Sequence, residues 1–503
     1  MQNLLSMPAC LTALLLAVPA ISPAQRIAIA EYPGLANNPY AITAGSDGAL
    51  WFTETGYVNE IGRLAPAGVL TEYAMPNATF GQEPRAITAG PDGAVWFAQP
   101  CCWLGRITTG GVMTLYQILF VAPTYPFGVT AGPDGALWVT LEGALTSSTN
   151  QIMRSTTAGS MTAYDLPTPN NRGPAGITAG PDGALWFVEA RANDIGRITT
   201  TGAVTVYPIP TAASVPEWIT AGPDRALWFT ETRGNNIGRI TTTGAITEYP
   251  VPTLASQPGG ITPGPDGALW FTEYASNQIG RITTAGTITE YLVPTPASSP
   301  QAITAGPYGL WFTEFNGRQI GQIIFVAARL NVSPPAGSFG TRLSFMGNGF
   351  AADDTVTIYT HGIGSRVLAT ATADSSGSFT ATAAAPSSAY GRRLLLAVGQ
   401  TSGKIAAAEF SAAPLLVLTK ESGRPGSFTA AWGYGFAAGE SVNIYWNNSQ
   451  IFLGTATANI NGAFWGSAAL EIRVPPDAPP GINTVSATGQ TTGHTATADF
   501  TVE

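Results

Sequence analysis

The feature that most constrains this chain is a segment of about 42 residues that recurs along its first two-thirds. One copy, residues 261–291, reads ITPGPDGALWFTEYASNQIGRITTAGTITEY. A tryptophan near the middle of each copy marks seven copies, at Trp51, Trp96, Trp138, Trp186, Trp228, Trp270 and Trp311. Seven copies at so regular a spacing predict an array of like structural units.

Each copy reads as four short strands. In the sixth copy, residues 260–262 form a first strand, 264–267 a tight turn, and 268–273 a second strand rich in β-forming residues. Residues 278–283 and 287–291 supply the third and fourth strands. Four antiparallel strands in a repeat of this length are typical of a propeller blade, so the sequence predicts an all-β, seven-bladed β-propeller.

The two ends of the repeat array predict how the ring closes. The seventh copy ends after its third strand, near residue 323, while residues 26–33 precede the first copy and match the missing fourth strand. We therefore expect the N-terminal strand to complete the last blade, which leaves no open sheet edge between the first and last blades.

A second kind of repeat follows the propeller. Residues 349–359, GFAADDTVTIY, match residues 435–445, GFAAGESVNIY. Short alternating strands with glycine turns at this length predict two immunoglobulin-like β-sandwiches. The expected domains are a propeller at 25–326 and sandwiches at 327–413 and 414–503. Neither sandwich offers a catalytic cluster, so we expect them to serve spacing or adhesion.

The N-terminal 24 residues predict a signal peptide, because an apolar run at 11–21 is followed by small residues suited to cleavage. We therefore expect a secreted, periplasmic or cell-envelope protein. The run is too short to span a bilayer, and no transmembrane segment is expected elsewhere.

Composition limits the partners. The net charge is −9 and only 11% of residues are charged, which argues against a nucleic-acid partner because phosphate binding needs clustered Lys and Arg. The adjacent Cys101 and Cys102 form no disulfide framework, and we interpret them as two small apolar residues, with a strained disulfide between them as the alternative. We expect a monomer.

Antiparallel up-and-down strands bring two rings of residues toward one mouth of the channel. The first ring follows the proline that opens each repeat, at Tyr40, Arg85, Phe127, Ala175, Glu217, Gly259 and Gln301. The second ring lies three residues after each tryptophan, at Glu54, Gln99, Leu141, Glu189, Glu231, Glu273 and Glu314. We expect an acidic mouth with Arg85 as its lone cation, and a small-molecule or cell-surface ligand held there.

The second ring allows two interpretations. Clustered carboxylates can bind Mg²⁺ or Ca²⁺, or act as general acid and base. Alternatively each Glu pairs with the Arg of the following Ile-Gly-Arg segment, as Glu231 would with Arg239 and Glu273 with Arg281. We favour the structural pairing, because repetition in most blades suits architecture better than a unique site.

The repeat sequences carry a specific resemblance. Residues 216–253 (PEWITAGPDRALWFTETRGNNIGRITTTGAITEYPVPT) and 257–291 resemble the repeats of the virginiamycin B lyase, or streptogramin B lyase, family. The resemblance covers residues 26–323. It implies a seven-bladed propeller and a Mg²⁺-dependent lyase that opens a cyclic depsipeptide by elimination at its ester bond, with a histidine as the base.

The resemblance also implies site residues. The family places catalytic histidines after the proline that opens the sixth and seventh repeats, where this chain has Gly259 and Gln301. Two matches remain: Tyr40 as a catalytic candidate, and Glu314 as both a catalytic candidate and a Mg²⁺ ligand. From the two rings at the channel mouth, independently of the resemblance, Arg85, Phe127, Gln301 and Glu273 are the expected ligand-binding residues.

Histidine is the residue type that this propeller lacks. The chain contains two, His361 and His494, and both follow the propeller. Since neither Gly259 nor Gln301 can accept a proton near neutral pH, the family mechanism cannot operate unchanged. Glu217, in the same ring, is the candidate replacement base.

Three functional hypotheses follow. The first is an exported propeller that binds a ligand or partner without catalysis, and we favour it because the histidines are missing. The second is a Mg²⁺-dependent carbon–oxygen lyase that uses a base other than histidine. The third is a calcium-stabilised envelope protein without a small ligand.

Overall fold

The structure is a computed structural model that describes residues 26–56, 59–65, 68–76, 83–100, 102–119, 124–143, 150–167, 173–360, 366–386, 391–437, 439–447, 451–459 and 462–503. Apart from one short 3-10 turn, Gly466–Ala468, every regular element in these residues is a β-strand. The all-β prediction is confirmed. The described part of the chain contains no helix whose length and apolar character would let it cross a membrane. The predicted signal peptide, Cys101 and His361 lie outside the described residues.

The propeller begins with one strand, Ile27–Pro33 (β1), and continues as four-stranded antiparallel sheets, which we call blades. Blade 1 comprises Asn38–Ala44 (β2), Leu50–Thr55 (β3), Glu60–Leu64 (β4) and Leu70–Ala74 (β5). Blade 2 comprises Ile87–Ala89 (β6), Val95–Gln99 (β7), Trp103–Ile107 (β8) and Met113–Gln117 (β9). Blade 3 comprises Thr124–Ala131 (β10), Leu137–Gly143 (β11), Gln151–Ser155 (β12) and Met161–Asp165 (β13).

The next three blades follow the same pattern. Blade 4 comprises Pro174–Ala179 (β14), Leu185–Glu189 (β15), Asp194–Ile198 (β16) and Val204–Pro208 (β17). Blade 5 comprises Pro216–Ala221 (β18), Leu227–Glu231 (β19), Asn236–Ile240 (β20) and Ile246–Pro250 (β21). Blade 6 comprises Pro258–Pro263 (β22), Leu269–Glu273 (β23), Gln278–Ile282 (β24) and Ile288–Leu292 (β25).

Blade 7 is assembled from both ends of the propeller. Its three inner strands are Pro300–Gly306 (β26), Gly309–Glu314 (β27) and Gln319–Phe325 (β28). The N-terminal β1 pairs antiparallel with β28 along its whole length, with Ile29 opposite Ile323, and so forms the outer strand. The innermost strands of neighbouring blades contact one another in sequence, and β26 contacts β2, so the ring is closed as the sequence predicts.

The repeated tryptophan of each blade lies in one buried cluster with residues from the second strand of the next blade. Trp270 is fully buried, stacks on Tyr291 at 5.4 Å between ring centroids, and donates its indole N–H to Asp266 in the turn before β23, at 3.0 Å. The other oxygen of Asp266 accepts from Arg281 at 2.7 Å. Five other blades contain the same Trp–Asp hydrogen bond and the same Arg–Asp ion pair. In blade 7, Tyr308 replaces the aspartate and the Trp311 indole donates to the Pro307 carbonyl instead.

Two further pairs of sheets follow the propeller. The first pair comprises Arg329–Ser333 (β29), Ala336–Gly337 (β30), Arg342–Asn348 (β31), Thr355–Thr360 (β32), Val367–Thr372 (β33), Phe379–Ala384 (β34), Gly391–Gly399 (β35) and Ile405–Ala412 (β36). The second comprises Leu415–Leu418 (β37), Ser422–Gly423 (β38), Phe428–Tyr434 (β39), Ser441–Trp446 (β40), Ile451–Thr457 (β41), Leu470–Arg473 (β42), Gly481–Gly489 (β43) and Thr495–Val502 (β44).

Each pair is a β-sandwich, and the two have the same topology. A three-stranded sheet (β29-β31-β34 or β37-β39-β42) faces a five-stranded one (β30-β36-β35-β32-β33 or β38-β44-β43-β40-β41). Both sheets contribute to one core, with Phe345 against Ile358 and Leu395 in sandwich 1. The tandem repeat is therefore structural as well as sequential, while the immunoglobulin-like assignment and the exact domain boundaries stay predictions.

Sandwich 1 packs against the closing blade of the propeller. Leu396, Val398 and Ile405 form one buried cluster with Ala30 of β1 and Ile324 of β28. The backbone N–H groups of residues 327 and 328 also donate to the Ile405 carbonyl, at 3.0 and 3.1 Å. The strand that closes the ring, β1, therefore also packs against sandwich 1.

Candidate functional site

A β-bulge at the start of the innermost strand positions the first ring of predicted site residues. In blade 1, Pro39 pairs with Glu54 and Ile42 pairs with Phe52, so that Tyr40 and Ala41 share one partner position. The same register shift follows the opening proline in blades 3 to 7. A bulge redirects the side chain that it carries, and here it presents the residue after proline to the propeller axis.

Arg85 of blade 2 is held between two aromatic rings from its neighbouring blades. Its guanidinium lies 5.8 Å from the ring centroid of Tyr40 in blade 1 and 5.7 Å from that of Phe127 in blade 3. Guanidinium groups stack favourably on aromatic faces while their edges stay free to donate hydrogen bonds. Three residues predicted from the first ring therefore meet in one cluster.

Glu217 of blade 5 faces this cluster. The Thr232 hydroxyl, which lies 3.1 Å from one Glu217 carboxylate oxygen and 2.9 Å from the Pro258 carbonyl, can donate to either. Burial raises the pKa of Glu217, and the hydrogen bond from Thr232 and the charge of Arg85 lower it in part. Burial, followed by the charge of Glu217, raises the pKa of Tyr40 to about 12. Tyr40 is therefore neutral at physiological pH. The charge of Glu217 depends on the balance between burial, which favours the neutral acid, and the contacts with Thr232 and Arg85, which favour the carboxylate.

Trp218 fills the axis beside Glu217. Other blades have a small residue at this position, and Trp218 packs partly against hydrophobic clusters from blades 1, 2, 5, 6 and 7. The neighbouring Gly176 leaves it room, since a Cβ there would lie 2.7 Å from the Glu217 carbonyl oxygen and 3.0 Å from the Cα of Trp218. The indole N–H of Trp218 is buried without a hydrogen-bond partner among the described residues.

The second predicted ring does not join this cluster, which corrects the sequence analysis. Glu273 and Glu314 are fully buried, and their carboxyl groups lie near Glu290 and Glu31 of the outer strands. Burial, together with those neighbouring charges, raises the pKa of Glu273 and of Glu314 to about 7. The mouth is therefore less acidic than the sequence suggested.

The expected pairing of each Glu with the following Arg is also wrong. Arg239 pairs with Asp224 and Arg281 with Asp266, each at 2.7 Å, in the turn before the second strand. Strand pairing explains this, because Arg239 lies opposite Trp228, three residues before Glu231. Arg85 is not the only cation on this face either, since Arg191 forms an ion pair with Glu142.

The residues that sequence reasoning missed lie one position beyond the second ring. Thr232 donates to Glu217, Tyr274 acts electrostatically on Tyr40, and Phe315 packs edge-on against Tyr40 with 6.3 Å between ring centroids. Side chains alternate along a strand, so the residue after each Glu has the opposite direction. The alternation of side chains along a strand could therefore have predicted these three residues from the sequence.

Neither position that would carry a family histidine has an equivalent group. Gly259 is buried, and a Cβ there would meet the Thr272 hydroxyl at 2.8 Å and the Gln301 carbonyl oxygen at 2.9 Å. Gln301 contributes that carbonyl, which accepts from Thr272 at 2.9 Å, and its side chain makes no hydrogen bond within the described residues. The Thr272 hydroxyl and the Gln301 carbonyl therefore occupy the space that a side chain at position 259 would need.

The described residues around Glu314 do not assemble a set of Mg²⁺ ligands. One oxygen of Glu314 accepts from Gln319 at 2.7 Å and the other is buried without a partner. The nearby Glu31 already uses both oxygens to accept from Thr295. Within the described residues, the three acidic groups whose ligand atoms converge are instead Glu54, Glu60 and Glu72 in blade 1. These residues do not fit a metal at Glu314, and we derive no step through one.

The fold and the axial cluster together define a closed β-propeller with a polar and aromatic site at one mouth. The virginiamycin B lyase family model matches residues 18–144 and 142–331. The chain belongs to the virginiamycin B lyase family.

Solved structures of this family cover 59–60% of this chain. A streptogramin B lyase is 38% identical, with a TM-score of 0.54 over 59% of this chain and 97% of its own. A selenomethionine-substituted virginiamycin B lyase from Staphylococcus aureus is 37% identical, with a TM-score of 0.55 over 60% of this chain and 99% of its own. A catalytically inactive histidine-to-alanine variant of that enzyme, solved with quinupristin, gives the same identity and TM-score over 60% of this chain and 100% of its own. A comparison with the curated proteins finds no match.

Proposed function

We propose that this chain is an exported, ligand-binding member of the virginiamycin B lyase family, and that its ligand lies against Arg85 at the mouth of the propeller. The observation that carries the proposal is the Arg85 guanidinium held between the rings of Tyr40 and Phe127, opposite Glu217. The predicted signal peptide supports export, and the two sandwiches would space the propeller from a surface.

The chemistry of the cluster favours a peptide-like ligand. The edge of the Arg85 guanidinium donates to carbonyl or ester oxygens, and the Glu217 carboxylate accepts from amide N–H groups. The Tyr40, Phe127 and Phe315 rings offer apolar faces. A cyclic depsipeptide supplies all three complementary features, and a relative in this family has been solved with quinupristin.

Binding without turnover is supported by the absence of an imidazole. Replacing one histidine leaves the Staphylococcus aureus relative catalytically inactive. The only histidines of this chain, His361 and His494, follow the propeller. The close contacts around Gly259 leave no room for a side chain of that size without a backbone shift.

A second candidate function rests on Glu217. Burial raises the pKa of its carboxyl, and a carboxylate with a raised pKa is a stronger base than an ordinary one. In this alternative Glu217 removes a proton from the carbon that lies between a carbonyl group of the bound depsipeptide and the carbon bearing the ester oxygen. The electron pair forms a carbon–carbon double bond, and the C–O bond breaks so that the ester oxygen leaves as part of a carboxylate. Arg85 would stabilise the negative charge that develops on the carbonyl oxygen.

The test uses the exported full chain, purified after N-terminal processing. We expect mass spectrometry to place the mature N-terminus near residue 25, whereas an unprocessed cytoplasmic protein would contradict export. A streptogramin B depsipeptide is titrated by calorimetry into the protein and into Arg85→Ala, Glu217→Gln and Arg473→Ala variants. Arg473 is a matched control, because its guanidinium also lies over a ring, Phe428 at 5.9 Å, but in sandwich 2.

We expect Arg85→Ala to weaken binding at least about tenfold, the equivalent of about 1.4 kcal/mol, while Arg473→Ala leaves it unchanged. Chromatography with fragmentation then asks whether the ring is opened, since elimination preserves the parent mass. An intact ring supports the binding proposal, and ring opening that Glu217→Gln abolishes supports the lyase instead. If the depsipeptide does not bind, both candidates fail for this ligand class.

A further inference from the structure

Three carboxylates from adjacent strands of blade 1 converge beside the seam with blade 7. Glu54 ends the second strand, Glu60 begins the third, and Glu72 lies on the outer strand. One oxygen from each lies within 4.8 Å of the other two. Gly62 permits the approach, because a Cβ there would lie 2.7 Å from Oε1 of Glu54.

Glu54 is the unusual member of this group. Its side chain is 0% exposed, and neither of its oxygens has a hydrogen-bond partner of normal geometry among the described residues, although the Asn37 backbone N–H acts on the carboxyl group. A buried ionised carboxylate with so little hydrogen bonding is expensive, so the group is either protonated or paired with a positive charge. Within the described chain no Lys or Arg forms an ion pair with Glu54, Glu60 or Glu72, and the nearby Asn37 amide donates to Glu60 alone, at 3.0 Å.

Burial, followed by the charges of Glu72 and Glu60, raises the pKa of Glu54 to about 8, and the Asn37 backbone lowers it slightly. The carboxylate is therefore not stabilised by the protein alone. Protonation or a bound cation are the two ways to neutralise the group.

Blades 5 and 7 are built differently at the position of Glu60. In blade 7, Gln319 occupies the place of Glu60 and donates its amide to Glu314 at 2.7 Å. In blade 5, Asn236 occupies that place, with its amide 3.4 Å from Glu231. The amide that caps the buried carboxylate in those blades is thus replaced in blade 1 by a third carboxylate.

Glu72, the glutamate on the outer strand of blade 1, also lacks, among the described residues, the hydrogen-bond donor that its counterparts in blades 6 and 7 have. Glu31 of blade 7 accepts from the backbone and hydroxyl of Thr295, and Glu290 of blade 6 accepts likewise from Thr253. No threonine is present in the corresponding loop before blade 1, residues 34–38, which reads GLANN. Glu72 therefore keeps its oxygens available, and its side chain is exposed to solvent.

We propose that Glu54, Glu60 and Glu72 bind one hard divalent cation of the Ca²⁺ type, which fastens the outer strands of blade 1 next to the seam that closes the ring. Ca²⁺ takes about six to eight oxygen ligands at about 2.3–2.6 Å, so oxygens up to about 5 Å apart can share one ion. The exposed side at Glu72 admits the ion and the water molecules that complete its shell. This site is separate from the axial cluster and does not depend on the proposed function.

The test measures thermal unfolding of the mature full chain by tryptophan fluorescence, after treatment with EDTA and at constant ionic strength. We expect Ca²⁺ in the micromolar to millimolar range to raise the Tm of the propeller by several degrees in a saturable way. Mg²⁺ at equal concentration should raise it less, because it requires a more regular octahedron than three carboxylates on a sheet supply.

Matched variants locate the effect. Glu60→Gln restores the amide found in blade 7, so we expect a folded protein whose Tm no longer responds to Ca²⁺. Glu314→Gln should keep the full response, because it lies outside the group. Gln278→Glu puts a third carboxylate beside Glu273 and Glu290 in blade 6, where Thr253 already bonds to both Glu290 oxygens, so we expect it to add no second response.

The proposal is overturned if the parent protein shows no saturable Ca²⁺ shift, or if Glu60→Gln shows the same shift as the parent. An equal response to Mg²⁺ would overturn the assignment to the Ca²⁺ type.

Discussion

At the residue scale, the propeller separates its acidic side chains into two populations. The turn aspartates each accept hydrogen bonds from a tryptophan and an arginine of the same blade. For Asp182 and Asp224, these partners hold the pKa of the carboxyl group below its usual range despite partial burial. The second-strand glutamates, such as Glu273, are buried beside another carboxylate and have raised pKa values. The turn aspartates thus stabilise the fold as anions, whereas the buried glutamates destabilise it when they are ionised.

We predict that the propeller loses stability as the pH rises from about 5 to about 8. The pKa of Glu273 is about 7 in the folded protein, against an ordinary value of 4.5, so the folded state retains a proton that the unfolded state has released. The stabilising contribution is complete below 4.5 and is lost as the pH passes about 7. Denaturant unfolding followed by tryptophan fluorescence measures this trend.

Glu273→Gln provides the control for this pH dependence. The amide stays neutral, so the variant should unfold at a higher denaturant concentration than the parent at pH 8, by the equivalent of a few kcal/mol, and nearly equally at pH 5. A parent and a variant with parallel pH profiles would contradict a titrating Glu273.

At the element scale, β1 determines whether the ring is closed. It supplies the outer strand of blade 7, and Glu31 within it bonds to Thr295 in the loop after blade 6. Ala30 also packs on sandwich 1. The remaining strands of the ring repeat a local pattern, but this strand joins parts of the chain nearly three hundred residues apart.

Deleting residues 25–33 should lower the Tm of the propeller by about 10 °C or more. The deletion exposes the edge and apolar face of β28, including Ile323 and Ile324, and breaks the connection to Thr295. Differential scanning calorimetry measures the change, and removal of the three C-terminal residues 501–503 serves as a control of terminal truncation. An unchanged propeller transition after the 25–33 deletion would refute the closure.

At the scale of the whole molecule, the propeller and sandwich 1 share a buried apolar contact. Leu396 is fully buried in the cluster with Ala30 and Ile324, although it lies on the face of β35 opposite the sandwich core residue Leu395. Strand β35 is apolar on both faces because one face packs in the core of its own sandwich and the other packs against the propeller.

Leu396→Asp should separate the two domains without unfolding either. A buried charge at the contact costs several kcal/mol, whereas a solvated Asp on a separated sandwich costs little. Limited proteolysis should then show faster cleavage near residue 326. Val367→Asp is the matched control, because Val367 is 51% exposed on the same sheet. Equal cleavage rates in the two variants would exclude the contact as the cause.

The sequence by itself determined the architecture, because each element of it is local. The strand order, the turns and the tryptophan spacing are fixed within one repeat of about 42 residues, and the missing fourth strand of the last copy is visible as a match at residues 26–33. It also placed Tyr40, Arg85, Phe127 and Glu217 in one ring, since the proline that precedes each of them marks the same position in its blade.

The tertiary structure alone decided which charged groups meet. Glu231 and Arg239 are close in sequence, yet strand register pairs Arg239 with Asp224, and alternation presents Thr232 rather than Glu231 to Glu217. Trp218 fills an axis that only the closed ring creates, and the meeting of Glu54, Glu60 and Glu72 depends on three strands lying side by side. Burial and charge neighbours are properties of the packed molecule, because a repeat in isolation has no interior in which a carboxyl group's pKa could be raised.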